Sequence, residues 1–280
     1  MKALPTGKKP SPLDPRNLEL LMDTAMTYLM LRQFPAALKL YDRALDILPN
    51  DPDLMALKAS IHQAEGNLDQ AAKFLSEINA LTPSGMAFGI KINLLRLERN
   101  LDEAVRLLQA RQAQFHFASE IEKGLNQVLL AFTQRLAGNI AGAKVTAEQA
   151  RDTLEPLCRN QPDSAFFAAV LSQAYTVLGE KNSALKEAER AITLLPSTKD
   201  RIEGPAGEEI LALIQMTFGD NSPVISTLAR LLQTPYDGWL CRPTPVTPAL
   251  LRLDPTWDPL RGDPRFEKLI EESKKPVALK

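Results

Sequence analysis

One stretch of the sequence, residues 174–196, reads AYTVLGEKNSALKEAERAITLLP. Gly179 is typical of a tight turn, and Pro196 is a residue at which a helix must stop. Between them alanines recur at helical spacing, beginning with Ala184, so small side chains form one stripe to which another helix can pack closely. The stretch therefore predicts two helices joined by a turn of about four residues.

A turn residue followed five positions later by a small residue recurs along the chain. The turn residues are Arg32, Gly66, Arg99, Gly138, Gly179 and Gly219. The small residues are Ala37, Ala71, Ala104, Ala143, Ala184 and Val224. Closing prolines are expected at Pro49, Pro83, Pro156, Pro196 and Pro235. A recurring unit of this kind predicts a solenoid of stacked helix pairs.

The spacing of the first unit resembles a known family. Its matching residues are Ala25, Tyr28, Ala37, Tyr41, Ala44 and Pro49. This pattern resembles the tetratricopeptide repeat, a helix-turn-helix unit of about 34 residues. The resemblance extends over residues 16–235, and it departs from the family at Ile78 and Arg111, where a small residue is usual. It implies an all-α, right-handed superhelical solenoid of about six helix pairs with a C-terminal cap.

We expect four regions in the chain. Residues 1–15 and 271–280 are predicted to be flexible tails, and residues 16–235 the solenoid. Residues 236–270 are predicted to cap the last repeat, because a repeat array leaves its final apolar face uncovered. The large side chains of this segment include Trp239, Trp257 and Phe266, and we expect it to fold only on the sixth pair.

The C-terminal stretch LLRLDPTWDPLRGDPRFEKLI, residues 250–270, carries a second resemblance. It is similar to the end of tetratricopeptide regions in bacterial multidomain proteins that contain a Ser/Thr kinase, an adenylate cyclase or a winged-helix domain. This resemblance implies a sensing or docking role in bacterial signalling.

Composition excludes several classes of protein. The 33 basic and 34 acidic residues nearly cancel, so no general nucleic-acid surface is predicted. No apolar run approaches the ~18 residues of a membrane helix, and no membrane insertion is expected. Two cysteines, Cys158 and Cys241, form no disulfide framework or metal set. We expect a cytoplasmic protein.

Catalytic patterns are not evident in the sequence. It contains neither a phosphate-binding loop nor a kinase catalytic loop. His62 and His116, the two histidines, are interpreted as packing residues. The three aspartates at 254, 258 and 263 each precede a proline, so turn formation explains them better than a metal site. We predict no enzyme, no cofactor and no metal.

The family resemblance implies a concave groove, lined by the first helix of each repeat, that receives a peptide or a partner helix. The groove positions it assigns are Met22, Met26, Leu29, Ser60, Gln63, Asn93, Arg96, Val128, Phe132, Arg135, Ala169, Gln173 and Thr176. A methionine-rich entrance followed by polar and basic positions favours a partner with an apolar residue and a carboxylate. The alternative is that these side chains pack internally.

The sequence therefore predicts a non-catalytic protein-interaction module, acting as a scaffold or sensor for a protein or peptide partner. Two alternatives stay open: an enzyme with an unrecognised site in the groove, and a structural subunit that self-assembles as a homo-oligomer.

Overall fold

A computed structural model describes residues 17–238 and 242–272 of the chain. Every regular element within these two ranges is a helix. Six consecutive helix pairs come first: α1 Leu18–Met30 with α2 Phe34–Ile47, α3 Pro52–Glu65 with α4 Leu68–Phe74, α5 Gly85–Leu97 with α6 Leu101–Gln114, α7 Glu120–Leu136 with α8 Ile140–Asn160, α9 Ala165–Leu178 with α10 Lys181–Leu194, and α11 Gly204–Thr217 with α12 Asn221–Leu231. The C-terminal segment then contains α13 Pro248–Leu253, a 3-10 helix Pro255–Leu260 and α14 Pro264–Glu272. The predicted all-α solenoid of six pairs is confirmed.

All six predicted turn residues have a left-handed backbone. Gly66, Gly138, Gly179 and Gly219 have φ between 80° and 84°, a conformation that glycine adopts without strain. Arg32 and Arg99 adopt the same conformation, with φ of 56° and 58°. The small residue five positions after each turn is at most 1 % exposed in every pair. The repeat register predicted from the sequence is therefore confirmed at each turn.

The second pair ends earlier than its closing proline predicts. Helix α4 stops at Phe74, well before Pro83, because polar side chains in the following residues bond to the backbone in place of helical hydrogen bonds. The side chain of Asn79 accepts from the backbone nitrogen of Leu81 at 2.9 Å, and Thr82 Oγ1 accepts from the backbone nitrogen of Asn79 at 3.0 Å.

Arg111 fixes this irregular segment from the next pair. Its guanidinium lies 3.7 Å from the ring centroid of Phe115 and donates to the carbonyls of Ala80 and Thr82 at 3.1 and 2.7 Å. Burial lowers the pKa of Arg111. Arg111, which stands where the family usually has a small residue, thus holds the segment between α4 and α5 in place.

Pro156 does not close the fourth pair as expected. Helix α8 continues through it to Asn160. The proline is on the exposed side of the helix, where water can bond the carbonyl that it leaves without a donor. Leu154 and Cys158, on either side of it, are buried in one core cluster with Val128 of α7 and Val170 of α9. The packing of these side chains therefore outweighs the helix-breaking effect of Pro156.

The C-terminal segment has two sets of contacts. Its Leu251, Trp257, Leu260 and Phe266 are buried in one apolar cluster with the sixth pair. Its Leu250 and Leu253 pack instead against the core of the first pairs. The segment was expected to contact only the sixth pair, and it also joins that pair to the opposite end of the array.

Some expectations concern residues outside the described ranges. These are the tail at 1–15, residues 273–280 of the second tail, and the side chains of Trp239 and Cys241. Within the described ranges, no helix combines the length and apolar character required to cross a membrane.

Candidate functional site

The inner side of the array is lined by first helices and filled by the C-terminal segment. A cavity of about 90 Å³ remains between α5, α7, α9, α11 and that segment. Four predicted groove residues line it: Arg96, Val128, Phe132 and Gln173. Other lining residues, including Glu209 and Trp257, were not expected there. The structure thus brings part of the predicted groove together around a segment of the same chain.

A polar chain crosses from the second pair to the C-terminal segment. Gln63 donates to the carbonyl of Ile90 at 3.0 Å and accepts from Asn93 at 2.5 Å. Arg96 Nη2 donates to Asn93 Oδ1 at 2.6 Å and to Asp254 Oδ2 at 3.0 Å. Because Gln63 and Asn93 are buried, these bonds are needed to satisfy their amides. This series of hydrogen bonds ends at the carboxylate of Asp254 in the C-terminal segment.

Both arginines at left-handed turns point to the C-terminal end of the molecule. Arg99 forms a bidentate ion pair with Asp258. Arg32 donates to the carbonyls of Leu231, Thr234 and Val246 at 2.9 to 3.2 Å. Two of these carbonyls are at the end of α12, where a cation is favoured. Burial lowers the pKa of Arg32 to about 10, so its side chain stays charged at neutral pH.

A buried charged network fastens the start of the segment to α11. Arg242 forms an ion pair with Glu209 and donates to the carbonyl of Thr244. Tyr236 donates to Glu209 at 2.6 Å and accepts from the backbone nitrogen of Val246 at 3.0 Å. Burial lowers the pKa of Arg242 to about 10 and raises the pKa of Tyr236. The network holds Val246 where Arg32 contacts its carbonyl.

The remaining predicted groove residues lie elsewhere. Met22 and Met26 are half-buried against the core of the first pairs, and Leu29 is fully buried in that core. Ser60 and Thr176 are buried, and their hydroxyls donate to carbonyls of their own helices. Ala169 is buried and lines an open cleft beside α10. None of these six residues lines the central cavity.

Arg135 lies in a second cleft, of about 280 Å³, which adjoins the central cavity at Phe132 and Leu213. The cleft lies between the ends of α7 and α11 and the 3-10 helix, and it is mainly apolar, with Phe132, Leu213 and Met216 in its walls. Arg135 is half-buried and forms no ion pair with any residue that the structure describes. A cation in such surroundings is suited to a carboxylate.

The described part of the chain offers no other obvious chemistry. It contains no group of three His, Cys, Asp or Glu side chains suited to a metal ion. His62 stacks on Phe74 at a centroid distance of 5.7 Å, and burial lowers its pKa. Cys158 is buried, and desolvation raises its pKa to about 11, which disfavours a reactive thiolate.

Comparison with known proteins identifies the repeats. Residues 28–87 match the sequence model of a family described as tetratricopeptide repeat. This part of the chain therefore consists of tetratricopeptide repeats. The match confirms the resemblance of the repeats to the tetratricopeptide family. It indicates a protein-interaction or scaffold role, since members of the family are generally non-catalytic scaffolds. A search of curated proteins found no match.

Comparison with solved structures found further similar proteins, among them the following two. PilW, a type IV pilus biogenesis factor, is 12% identical, with 76% of this chain and 91% of PilW covered and a TM-score of 0.44. MamA from Desulfovibrio magneticus RS-1, residue 41 to its end, is 13% identical, with 79% and 94% covered and a TM-score of 0.31. Both TM-scores are below 0.5, and neither likeness bears on function.

The sequence reasoning missed several residues that shape the inner side of the array. They are Arg32, Arg99, Glu209, Arg242 and Thr247. For the first two a signal existed, because an arginine occupied a turn position where four of the six repeats have glycine. For the others the sequence carried no periodic signal.

Proposed function

We propose that this tetratricopeptide repeat protein is a non-catalytic interaction module that binds a segment of a partner protein in the cleft beside Arg135. The observation that carries the proposal is a half-buried arginine without an ion pair among the described residues, in a cleft with apolar walls. An apolar side chain in the cleft with a carboxylate on Arg135 would satisfy both features. Phe132 and Arg135, both predicted groove residues, line this cleft.

The proposal places the module in bacterial signalling, as scaffold or sensor. Its support is the resemblance of residues 250–270 to the ends of repeat regions in bacterial multidomain regulators. A cytoplasmic location is part of the proposal, and its support is a sequence with two isolated cysteines and no disulfide framework.

The test uses random peptides displayed on phage and selected on the full chain. We expect selected peptides to combine a large apolar residue with a nearby carboxylate. Arg135→Ala should weaken their binding about tenfold or more, the size of one charge-assisted hydrogen bond. Lys144→Ala, which removes one positive charge from the exposed side of α8, should leave binding unchanged. Equal affinity of the Arg135→Ala variant and the wild type would remove the cleft from the site.

A further inference from the structure

The C-terminal segment is held by two unlike interfaces. Its contact with the sixth pair is apolar and contains Trp257, Leu260 and Phe266. Its contact with the first three pairs is mainly polar, and we call this contact the seam. The seam is formed by Arg32, Ala64, Arg96 and Arg99 on one side, and by Val246, Thr247, Asp254 and Asp258 of the segment on the other. Arg32 also contacts Leu231 and Thr234 of the sixth pair.

We expect the seam to be the weaker of the two interfaces. Its hydrogen bonds and ion pairs can be replaced by bonds to water, so each contributes little net free energy, whereas the apolar side chains of the other interface cannot be exposed so readily. Its apolar part includes Leu250 and Leu253, with Ala249 beside Gly66. Opening would therefore occur at the seam and leave the segment attached to the sixth pair.

The seam contacts its segment as a receptor contacts a peptide. Arg96 of α5 binds Asp254, Arg99 of the turn after α5 binds Asp258, and a proline follows each aspartate. The hydroxyl of Thr247 donates to the carbonyl of Ala64 at 2.7 Å. Contacts of this kind select a segment by the spacing of its carboxylates and by its backbone.

Two features indicate that the seam is more than a passive closure. Arg32 and Arg99 keep a backbone conformation that is strained for a residue with a side chain, and both side chains serve the seam. In addition, Asp254 engages only one nitrogen of Arg96, and the buried Nε of Arg96 has no hydrogen-bond partner in the described part of the chain. The resident segment thus leaves one donor of the seam unsatisfied.

We propose that the seam is a docking site for a segment of another protein that presents two aspartates four residues apart, each followed by proline, after a helical turn containing leucine. Residues 246–260 make these contacts in cis. The incoming segment replaces the contacts of Val246, Thr247, Asp254 and Asp258 with the first three pairs, while Trp257 and Leu260 stay packed on the sixth pair. The cleft beside Arg135 shares Pro255, Thr256 and Pro259 with this segment. The two proposals are still tested separately, because Arg135→Ala leaves the arginines of the seam in place, and substitutions at Asp254 and Asp258 leave Arg135 in place.

The test measures binding of a labelled peptide with the sequence of residues 246–260, VTPALLRLDPTWDPL, to the full chain by fluorescence anisotropy. In the variant Asp254→Asn/Asp258→Asn the cis segment loses both charges while the arginines remain. We expect this variant to bind the peptide at least tenfold more tightly than the wild type does. A peptide with asparagine at both positions should not bind. A variant with a native circular-dichroism spectrum and no affinity for the peptide would overturn the proposal.

A reversible lock provides a control. The Cβ of Ala249 lies 3.4 Å from the position that a Cβ on Gly66 would occupy, close to the separation found in disulfides. Gly66→Cys/Ala249→Cys, added to the double-asparagine variant, should abolish peptide binding when oxidised and restore it when reduced. Binding that is the same in both redox states would show that the peptide binds outside the seam, against the proposal.

A second measurement covers the case in which the double-asparagine variant does not fold. The single substitution Thr247→Cys, with Cys241→Ser, places a thiol in the seam, and the buried Cys158 reports global unfolding. We expect a maleimide to label position 247 at least tenfold faster than Cys158, and excess peptide 246–260 to raise that rate further. Equal labelling rates would mean that the seam opens only on unfolding, which contradicts the proposal.

Light scattering of the double-asparagine variant distinguishes the source of the occupant. We expect a monomer. A dimer would assign the site to the segment of a second copy and overturn the assignment to another protein.

Discussion

The guanidinium of Arg99 donates two hydrogen bonds, of 2.7 and 2.8 Å, to the carboxylate of Asp258, which lies 159 positions later in the sequence. An ordinary repeat array contacts only its neighbours, so its ends are the least supported parts. Here Arg99 and Arg32 connect the early repeats directly to the C-terminal segment and to the sixth pair. Stability at one end of the chain should therefore depend on residues at the other.

The strain at the Arg99 turn can be measured. Arg99→Gly and Arg99→Ala both remove the ion pair, but only glycine accepts φ near +58° without strain. We expect the glycine variant to be more stable than the alanine variant by about 1 kcal/mol in urea unfolding. As a control, the same two substitutions at the exposed helical residue Lys186 should give the opposite order. Identical stability of the two Arg99 variants would refute the strain.

Loss of Trp257 should affect both ends of the array. The side chain is 4% exposed and belongs to the core with the sixth pair. Trp257→Ala is expected to cost about 3 to 5 kcal/mol. Hydrogen exchange should rise in α1 and α3 as well as in α11 and α12, because the seam loses its support. An increase confined to α11 and α12 would show that the ends are not coupled, and Glu271→Ala, at an exposed site of α14, serves as control.

The close contact between the helices of the fifth pair is also testable. Ala184 is 0% exposed and packs in a cluster with Ala168 of α9. Ala184→Leu should overpack this contact and cost about 1 to 3 kcal/mol, read as a lower melting temperature. Lys186→Leu, on the exposed side of the same helix, should have little effect. An unchanged melting temperature for Ala184→Leu would refute the contact.

Asp237 should make the protein less stable as the pH rises. Burial, with a contribution from Glu203, raises its pKa to about 6, above the ordinary value of 3.8. The folded state then binds the proton more tightly than the unfolded state, so stability falls between about pH 4 and pH 6 and stays reduced above. Asp237→Asn should add about 1 to 3 kcal/mol at pH 7.5 and less at pH 4.5, measured by urea unfolding. A gain that is equal at both pH values, or that also occurs with the exposed Asp163→Asn, would contradict this assignment.

Asp258 should have the opposite dependence. Its hydrogen bonds with Arg99 lower the pKa of Asp258 below the ordinary value of 3.8. Its stabilisation is therefore complete above that value and is lost as the pH falls through the lowered pKa. Because the pair is partly exposed, the effect should be below about 1 kcal/mol. Asp258→Asn should flatten the acid limb of the stability curve, and an unchanged limb would exclude the pair as a contributor.

The architecture was predictable because it repeats. The same pattern, a turn followed five positions later by a small residue, occurs six times and each time predicts the same helix pair. A wrong prediction at one repeat, such as the helix end expected at Pro156, therefore leaves the positions of the other pairs unchanged. The early end of α4 was missed because the competing side-chain bonds of Asn79 and Thr82 depend on local geometry that a spacing pattern does not show.

The candidate site was only partly predictable for a different reason. The family pattern tells which residues share the inner side, and it placed Arg96, Val128, Phe132 and Gln173 there. It does not tell that residues 242–260 return to that side, since the contact of Arg32 with Val246 spans 214 positions without any periodic relation. That contact depends on how far the whole array curves, which no single repeat determines.

The contacts between the early repeats and the C-terminal segment can form only late in synthesis. Arg32 is translated 214 residues before its partner Val246, which at about 5 to 20 residues per second is a delay on the order of 10 to 40 s. During this interval the first pairs can fold on the ribosome while their arginines have no segment to bind. Contacts of such long sequence separation also form slowly in refolding. The nascent chain thus passes through a state in which residues 246–260 have not yet been made. In that state an acidic segment of another protein could bind the arginines without competing with residues 246–260.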